Sequence, residues 1–427
     1  MLTRRCFLGY SALAPAMLAC RPFLQSIEAQ APGDSSPQIP APQIPAPQIS
    51  ANALAIHKRA LVFDGHVHAL DREFYQGGSM GTRYPNGYWD LPRAREGGVG
   101  AFFLSVYVPE VYYPGRFETK QALRRIEHAL EQLELNRDQV ELALNGDDVD
   151  RIRAKGKIAA VLDIEGSYDL DGDLGVLHDL YRLGLRSAQL SAHNWNQHYA
   201  DACCSTAQWN GITDHGREVV HEMNRLGIVI NVSHASAEAT SQAIDASSDP
   251  IIATHQGLRS VVDIPRNMPD DVLKKMAAKG GVIGFEIGNE FHSPQEYAYQ
   301  NEHSKKPFFD TSDIPKQVEG LSIYQVDKLI ASEFPRTGMV VPDSIRMTAD
   351  QWVAVVDKAI QMVGEDHVAI GTDFDGGPNL PRGMRDTRDL PMFTDAMVRR
   401  GYSETRIDKF WGGNLLRLFR QVTQKRS

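Results

Sequence analysis

Eight short apolar runs, separated by longer segments with helical periodicity, constrain the fold of this chain more than any other feature of its sequence. Helical periodicity is clearest in four segments, 119–135, 214–226, 269–278 and 349–363. The apolar runs are rich in β-branched residues and nearly continuous, which is typical of parallel strands buried on both faces. These runs occupy residues 61–66, 99–108, 157–166, 187–193, 227–234, 250–255, 280–287 and 367–376.

Eight strand–helix units predict an α/β fold, the (β/α)8 TIM barrel, which typically needs about 250 residues and tolerates insertions. The connection between Glu286 and Val368 is too long for one such unit. We therefore predict that residues 290–342, rich in Pro, Ser, Lys and Tyr, form an inserted segment before the last strand. Such an insertion would suit one of two roles: a lid over the binding pocket or an oligomer contact.

The charge balance excludes one class of partner. The 427 residues carry a formal net charge of −9, and the basic residues form no run of the kind that tracks phosphates. We therefore expect no nucleic acid, and a small molecule or a peptide as the partner.

Residues 1–31 have the features of an export signal. Arg4 and Arg5 precede an apolar stretch, YSALAPAMLA, that is too short to span a bilayer. The paired arginines resemble a twin-arginine signal, which exports folded proteins. Cleavage after Ala31 would release a periplasmic protein, whereas cleavage before Cys20 would leave a lipid-modified cysteine that tethers it to the membrane.

Residues 32–52 are predicted to be a linker, because PQIPAPQIPAPQIS at 37–50 repeats proline at every second or third position and favours an extended spacer. Residues 53–427 then form the working domain. Within that domain, Cys203 and Cys204 are adjacent, and adjacent cysteines rarely pair, so we expect two unpaired thiols and no disulfide framework.

Ligand-type side chains close six of the eight predicted strands. One histidine at a strand end is usually a structural, hydrogen-bonded residue, a lone glutamate there is often a helix cap, and GTDFDG alone would suggest a turn. Five of the 14 histidines lie at the ends of predicted strands, and structural roles alone explain so many poorly. In a barrel, all these strand ends open onto the face where active sites form. The residues are His66 and His68, Glu165, His193, His234, His255 and Asp373.

Histidine and carboxylate ligands without cysteine suit zinc or a similar divalent ion in a partly open catalytic site. Four imidazoles and one carboxylate exceed what one ion needs. Two ions bridged by a carboxylate, about 3.5–4 Å apart, explain the set better.

Six motifs occur in an order that resembles the membrane (renal) dipeptidases, the M19 peptidase family of the amidohydrolase superfamily. They are DGHVHAL, VLDIEGSY, LSAHNWNQHYAD, INVSHAS, IIATHQGLRSVVDIPRNMPDDVL and AIGTDFDG. The resemblance extends over residues 53–421, and HNWN and RNMPDDVL are its most specific parts. It also implies a homodimer.

The resemblance implies a site for two zinc ions. His66 and His68 would bind the first ion, His234 and His255 the second, and Glu165 would bridge them. The family usually has HxD in the first motif, whereas this chain has His68 in place of the aspartate. This exchange removes one negative charge and leaves the identity and occupancy of the first ion open.

The resemblance also assigns three residues to substrate and catalysis. His193 would bind and polarise the substrate, Arg266 would bind its carboxylate, and Asp373 would be the catalytic acid and base. The implied activity is hydrolysis of a dipeptide with a free C-terminal carboxylate by a hydroxide that bridges the metals. A bidentate contact to Arg266 would restrict the enzyme to short substrates.

Two alternatives remain open at the level of the sequence. One is an amidohydrolase that acts on an N-acyl amino acid, a lactone or a phosphotriester, although the last two lack a carboxylate for Arg266. The other is a catalytically inactive, tethered binding protein, which the presence of Asp373 and the complete ligand set argues against.

Overall fold

The computed structural model describes residues 45–113, 117–166, 173–191, 193, 196, 198–304, 314–332 and 341–424. The predicted export signal, Cys20 and most of the linker lie outside these ranges. Of the helices within them, none is long and apolar enough to cross a membrane.

A single parallel sheet runs through the described part of the chain, and eight of its strands follow one another in sequence order. The additional strand is β3, which pairs only with the beginning of β4 and was not predicted. The strands are β1 (Val62–Val67), β2 (Val99–Val108), β3 (Val140–Leu142), β4 (Ile158–Gly166), β5 (Leu185–Gln189), β6 (Val229–Asn231), β7 (Ile252–Gln256), β8 (Val282–Phe285) and β9 (Val368–Ile370).

Helices connect successive strands and cover the outside of the sheet. In the described ranges they are α1 (Ala51–Arg59), α2 (Asp71–Gln76), α3 (Leu91–Glu96), α4 (Glu118–Leu135), α5 (Gly146–Ala154), α6 (Leu174–Arg182), α7 (Asp214–Leu226), α8 (Ala237–Ala246), α9 (Asp270–Ala278), α10 (Pro294–His303), α11 (Ile314–Gln317), α12 (Ile323–Ala331), α13 (Ala349–Val363), α14 (Pro391–Arg399), α15 (Glu404–Asp408) and α16 (Asn414–Thr423).

The first and last strands close the sheet into a barrel. Val67, the last residue of β1, and Phe374, beyond the end of β9, form a parallel bridge. The Asp373 N–H donates to the His66 carbonyl at 2.9 Å, and the His68 N–H donates to the Phe374 carbonyl at 2.9 Å. The predicted (β/α)8 barrel is thereby confirmed, and its closure brings Asp373 beside the first histidine pair.

The N-terminal end of the barrel is sealed by apolar side chains. The rings of Phe63 on β1 and Phe103 on β2 stack at 5.2 Å, and Phe419 on α16 meets them edge-on at 6.4 and 6.0 Å. All three side chains are fully buried. Because this end is filled, the polar residues at the opposite ends of the strands face the open mouth of the barrel.

The insertion before β9 is anchored to the outer helices. Asp327 on α12 accepts hydrogen bonds from the Tyr113 hydroxyl at 2.9 Å and from Gln121 Nε2 at 2.8 Å, and it lies 2.8 Å from Arg124 Nη2. Residues 305–313 and 333–340 fall outside the described ranges. The roles of lid and oligomer contact therefore stay predictions.

Helix α1 is the first helix of the described residues. Helix α1 starts at Ala51, two residues inside the predicted linker, and the Ser50 hydroxyl caps it by accepting from the Ala53 N–H. Ser50 also donates to Asp395 on α14 at 2.6 Å, which fixes the entry of the chain into the domain.

Cys203 and Cys204 are bonded to each other in a disulfide, so the expectation of two unpaired thiols is wrong. The pair lies in a tight turn, and the Cys203 N–H donates to the His234 carbonyl at 2.7 Å. The turn brings together two side chains that would diverge in a regular strand.

We expect the stability of the metal-free protein to fall in acid because His57 is buried in a neutral state. Its Nδ1 lies 2.7 Å from Thr394 Oγ1 and its Nε2 lies 2.9 Å from the Gly97 carbonyl. Burial lowers the pKa of His57 to about 4, against a smaller opposing effect of the Gly97 hydrogen bond. The unfolded chain binds the proton more tightly, so this stabilisation is complete above about pH 6.5 and decreases towards pH 4, by up to roughly 3 kcal/mol.

Urea unfolding of the wild type and of His57→Gln in the presence of a chelator tests this expectation. The difference in unfolding free energy between the two proteins should shrink as the pH falls from 7 to 4.5. A difference that does not change with pH would show that His57 is not held neutral.

Candidate metal centre

Glu165, at the end of β4, lies between two pairs of histidines. Its Oε2 atom is 2.8 Å from His66 Nε2 and 2.9 Å from His68 Nε2. Its Oε1 atom is 3.3 Å from His234 Nε2 and 3.6 Å from His255 Nε2. Each carboxylate oxygen therefore faces its own imidazole pair, as expected of a carboxylate that bridges two ions.

The distances between the ligand atoms fit divalent metal ions. A tetrahedral zinc ion with bonds of about 2.0–2.1 Å places its ligand atoms about 3.3–3.4 Å apart. The Nε2 atoms of His66 and His68 are 3.3 Å apart, and those of His234 and His255 are 3.0 Å apart. Imidazole and carboxylate without thiolate are ligands that suit zinc and similar ions. Two groups of ligand atoms that could hold a metal ion, one with His66 and His68 and one with His234 and His255, therefore share Glu165.

Buried polar contacts on β1 and β9 fix the first pair. Asp64 accepts from the backbone N–H of His66 at 3.2 Å and of Thr372 at 2.8 Å, and the Thr372 hydroxyl donates to it at 2.6 Å. Burial raises the pKa of Asp64 to about 6, although the hydrogen bonds from Thr372 oppose that rise. These bonds tie the strand that carries His66 to the strand that precedes Asp373.

Two site residues have left-handed backbone conformations. His234 has φ 66° and Asp373 has φ 59°, a region that side-chain-bearing residues seldom adopt. Such conformations cost about 1–3 kcal/mol each and persist where the surroundings impose them, most often at functional sites. Here they turn the two side chains out of the strand direction and into the mouth of the barrel.

Several residues that the sequence did not indicate orient the ligands. Asp71 Oδ2 lies 2.8 Å from His68 Nδ1, and buried Arg125 donates to Asp71 Oδ1 at 2.5 Å. Ser105 donates to Glu165 Oε2 at 3.0 Å. Metal ligands commonly need such partners to fix their orientation and basicity. The sequence could have indicated Asp71, because it follows His68 by three residues. Nothing in the sequence around Arg125 on α4 indicates that it contributes to the site.

The two histidine pairs differ electrostatically in the metal-free protein. Burial lowers the pKa of His66 and His68, but the Glu165 carboxylate and the other carboxylates beside each ring together outweigh it. The pKa of His66 therefore rises to about 9, and that of His68 rises well above its usual range. Burial and the nearby Arg266 guanidinium hold the pKa of His234 well below its usual range. An ion bound by the first pair must therefore displace protons at neutral pH, whereas His234 is already neutral.

We expect Asp71→Asn to weaken metal binding about 10–100-fold at the His68 position, because the amide supports the imidazole less well than the carboxylate does. Competition with a chelator would measure the affinities of both ions. A matched variant is Thr254→Val, since Thr254 Oγ1 lies 3.0 Å from His255 Nδ1 and supports the other pair. Each variant should weaken the binding of a different ion. Weaker binding of the same ion in both variants would contradict the assignment of the histidines to two separate pairs.

The other predicted site residues line a cavity of about 150 Å³ at the mouth of the barrel. Asp373 Oδ1 lies 3.1 Å from His68 Nε2. The half-buried ring of His193 is 3.9 Å from that of His234. Arg266 is buried, donates to the His255 carbonyl at 2.9 Å, and has its Nη2 3.2 Å from His234 Nε2. The structure thus brings all eight predicted residues together, while their individual roles stay predictions.

Three further residues in or near the cavity were missed, Tyr107, Glu286 and Glu290. The ring of Tyr107 on β2 lies 5.2 Å from that of His68 and 5.5 Å from that of His193. Glu286 directly follows β8 and lines the cavity. Like the predicted ligands, Glu286 is a polar residue at the end of a predicted strand, so the same reasoning could have identified it from the sequence.

The barrel and its paired ligand sets define an α/β barrel protein with a candidate metal centre at the mouth of the barrel. The sequence profile of the membrane dipeptidases, peptidase family M19, matches residues 50–427. The chain therefore belongs to the membrane dipeptidase family. The recognition made from the sequence motifs is confirmed, and with it the assignment as a metallo-dipeptidase.

Individual relatives agree with this family. Dipeptidase tcpJ of Claviceps purpurea (strain 20.1) is 29% identical over 347 residues, which are 79% of this chain and 69% of that protein. Dipeptidase 3 of Rattus norvegicus is 28% identical over 395 residues, 88% of this chain and 67% of that protein. The crystal structure of the probable dipeptidase PvdM from Pseudomonas aeruginosa is similar with a TM-score of 0.71 and 26% identity, covering 87% of this chain and 98% of that one.

Proposed function

We propose that this metallo-dipeptidase uses two zinc ions and hydrolyses dipeptides that have a free C-terminal carboxylate. The observation that supports this proposal most strongly is the position of Glu165, whose two oxygens face two separate histidine pairs. When bound, the two ions would ionise a water molecule near neutral pH and polarise the substrate carbonyl.

Asp373 is placed to move the proton. Its Oδ1 atom points into the cavity beside the first histidine pair, 3.1 Å from His68 Nε2. In the proposed reaction, Asp373 accepts the proton of the attacking water and passes it to the leaving amine. His193, whose ring lies 3.9 Å from that of His234, donates a hydrogen bond to the carbonyl oxygen as negative charge develops there.

Arg266 supplies the positive group on the cavity wall. The proposed contact is with the C-terminal carboxylate of the substrate, a charge-assisted hydrogen bond in a water-poor site. A longer peptide has an amide in place of that carboxylate, so this contact would select dipeptides.

Asp373→Asn tests the proton-transfer role. Asparagine tolerates the left-handed backbone of this position, so the variant should fold and bind metal as the wild type does. We expect kcat for a dipeptide to fall about 10²–10⁴-fold with unchanged metal content. A kcat within threefold of the wild type would contradict the role. Assaying N-acyl amino acids and lactones in parallel distinguishes the dipeptidase from other amidohydrolases.

We also propose that the protein is exported by its paired Arg4 and Arg5, and that its working site lies in the periplasm. Replacement of both by lysine should leave the protein in the cytoplasmic fraction, and labelling with a radioactive fatty acid would reveal a lipid on Cys20. Unchanged export of the double variant would exclude the twin-arginine route.

A further inference from the structure

Two buried carboxylates that the proposed reaction does not use line the same cavity as Arg266. Glu286 follows β8 and is 1% exposed, and Glu290 lies in the next turn and is 2% exposed. Both belong to the cavity wall, together with His193 and Asp373. Buried carboxylates are costly unless they are paired, so their presence in a binding cavity calls for a ligand.

The backbone around Glu286 is held rigidly. Its N–H donates to the Gln256 carbonyl at 3.2 Å. Its own carbonyl accepts from Trp352 Nε1 at 3.0 Å and lies 2.7 Å from His292 Nε2. The side chain is therefore presented at a fixed position rather than on a mobile loop, as specificity-determining groups usually are.

The Glu286 side chain is poorly satisfied within the protein. Its Oε2 atom is buried, has no hydrogen-bond donor among the described residues, and lies 3.7 Å from Arg266 Nη2, beyond hydrogen-bond distance. Arg266 directs its hydrogen bonds to Gln256 and to the His255 carbonyl instead. One lone pair of Glu286 is thus available to a ligand in the cavity.

Glu290 accepts hydrogen bonds from backbone groups, its own N–H and that of Asn379. Its Oε2 atom accepts a long hydrogen bond, 3.4 Å, from the Asn379 N–H. Burial raises the pKa of Glu290 to about 8, and burial raises the pKa of Glu286 well above its usual range against the opposing effect of Arg266. The carboxyl groups of Glu286, Glu290 and Asp373 share this wall with a single arginine. With raised pKa values, Glu286 and Glu290 hold protons near neutral pH in the empty cavity, so a cation binds there by displacing these protons and pairing with the carboxylates that form.

We propose that Glu286 and Glu290 form a subsite for a positively charged side chain on the C-terminal residue of the substrate. This inference rests on the proposed function, in which Arg266 binds the C-terminal carboxylate. Glu286 adjoins the same guanidinium, so a group that reaches Glu286 belongs to the residue that carries that carboxylate. The favoured substrates are dipeptides that end in lysine, arginine or a similar diamino acid of either configuration.

Four dipeptides with the metal-loaded wild type test the subsite directly. Norleucine resembles lysine without the ammonium group, so Ala-Lys is compared with Ala-norleucine, and Lys-Ala with norleucine-Ala. We expect kcat/KM to favour Ala-Lys over Ala-norleucine at least tenfold, through a lower KM, with no such preference between Lys-Ala and norleucine-Ala. Ala-D-Lys and Ala-D-norleucine extend the comparison to the other configuration.

Substitutions of the two glutamates test whether these residues cause the preference for Ala-Lys over Ala-norleucine. Glu286→Gln and, to a smaller extent, Glu290→Gln should reduce the Ala-Lys preference to below threefold while Ala-norleucine is still hydrolysed. Glu302→Gln, an exposed residue on α10, is the matched control and should retain the preference. Calorimetry with free lysine and free norleucine, the expected products, should show the same selectivity without turnover.

The outcomes separate the subsite from the proposed function. Hydrolysis of neutral dipeptides without a preference for Ala-Lys would overturn the subsite alone. A preference for Lys-Ala would place the positively charged side chain on the N-terminal residue and would also overturn the subsite. A metal-loaded protein that hydrolyses none of the dipeptides would overturn the proposed function and, with it, this inference.

Discussion

Replacement of Glu165 by glutamine is expected to leave fewer than two ions per chain and to lower kcat/KM for dipeptides by at least about 10³-fold. The amide nitrogen cannot bind a metal, so one histidine pair loses its shared ligand, and the contribution of a catalytic ion is several kcal/mol. About 4 kcal/mol corresponds to a factor of roughly 10³ in rate. Elemental analysis of the purified variant, together with steady-state kinetics, measures both effects.

A buried glutamate outside the site is the control for this variant. Glu296 on α10 accepts the Met347 N–H at 2.6 Å and is fully buried, yet it does not line the cavity. Glu296→Gln should retain the metal content of the wild type. Two ions per chain in Glu165→Gln would mean that this carboxylate does not bridge them.

Replacement of Arg266 by alanine is expected to raise KM for dipeptides at least tenfold. A hydrogen bond to a charged group is worth about 1.5–3 kcal/mol, and 1.4 kcal/mol is a factor of ten. Arg266→Lys should restore little of the loss, because an ammonium group cannot make the bidentate contact. Steady-state kinetics on a simple dipeptide such as Ala-Ala provides the measurement.

Dipeptide amides separate the two functions that Arg266 could have. Its Nη2 lies 3.2 Å from His234 Nε2, so the substitution also removes a neighbour of a metal ligand. If the role is carboxylate binding, the KM of Ala-Ala amide should change less than threefold, since it has no carboxylate. An equal rise in KM for the acid and the amide would assign Arg266 to the support of His234 instead.

The sequence predicted the barrel well because buried parallel strands leave a clear pattern. Each of the eight apolar runs overlaps an observed strand, and the ligand-type residues that follow them meet at one mouth. Strand β3, Val140–Leu142, escaped prediction because it has only three residues, one of them the charged Glu141, and pairs only with the start of β4. So short a segment carries too little pattern to be distinguished from a loop.

The supporting residues of the site were predicted less well, for a physical reason. Arg125 and Ser105 are brought to the ligands by the packing of α4 and by the register of β2, and neither leaves a local pattern in the sequence. Pairings of this kind require the folded structure.

His68, at the position where the sequence resemblance implies aspartate, lies almost as close to Glu165 as His66 does. Its Nε2 is 2.9 Å from Glu165 Oε2, compared with 2.8 Å for His66. Asp71 Oδ2 lies 2.8 Å from His68 Nδ1, so a carboxylate is present next to this imidazole. Arg125 shares that carboxylate, which limits how far it compensates for the missing charge.

Titration of the metal-free protein with zinc, followed by both bound metal and dipeptide hydrolysis, tests the paired site most directly. We predict saturation at two ions per chain, with hydrolysis that is lost on chelation and restored as zinc is returned. Saturation below one ion per chain, with no hydrolysis of any dipeptide, would contradict the assignment of this site and its proposed function.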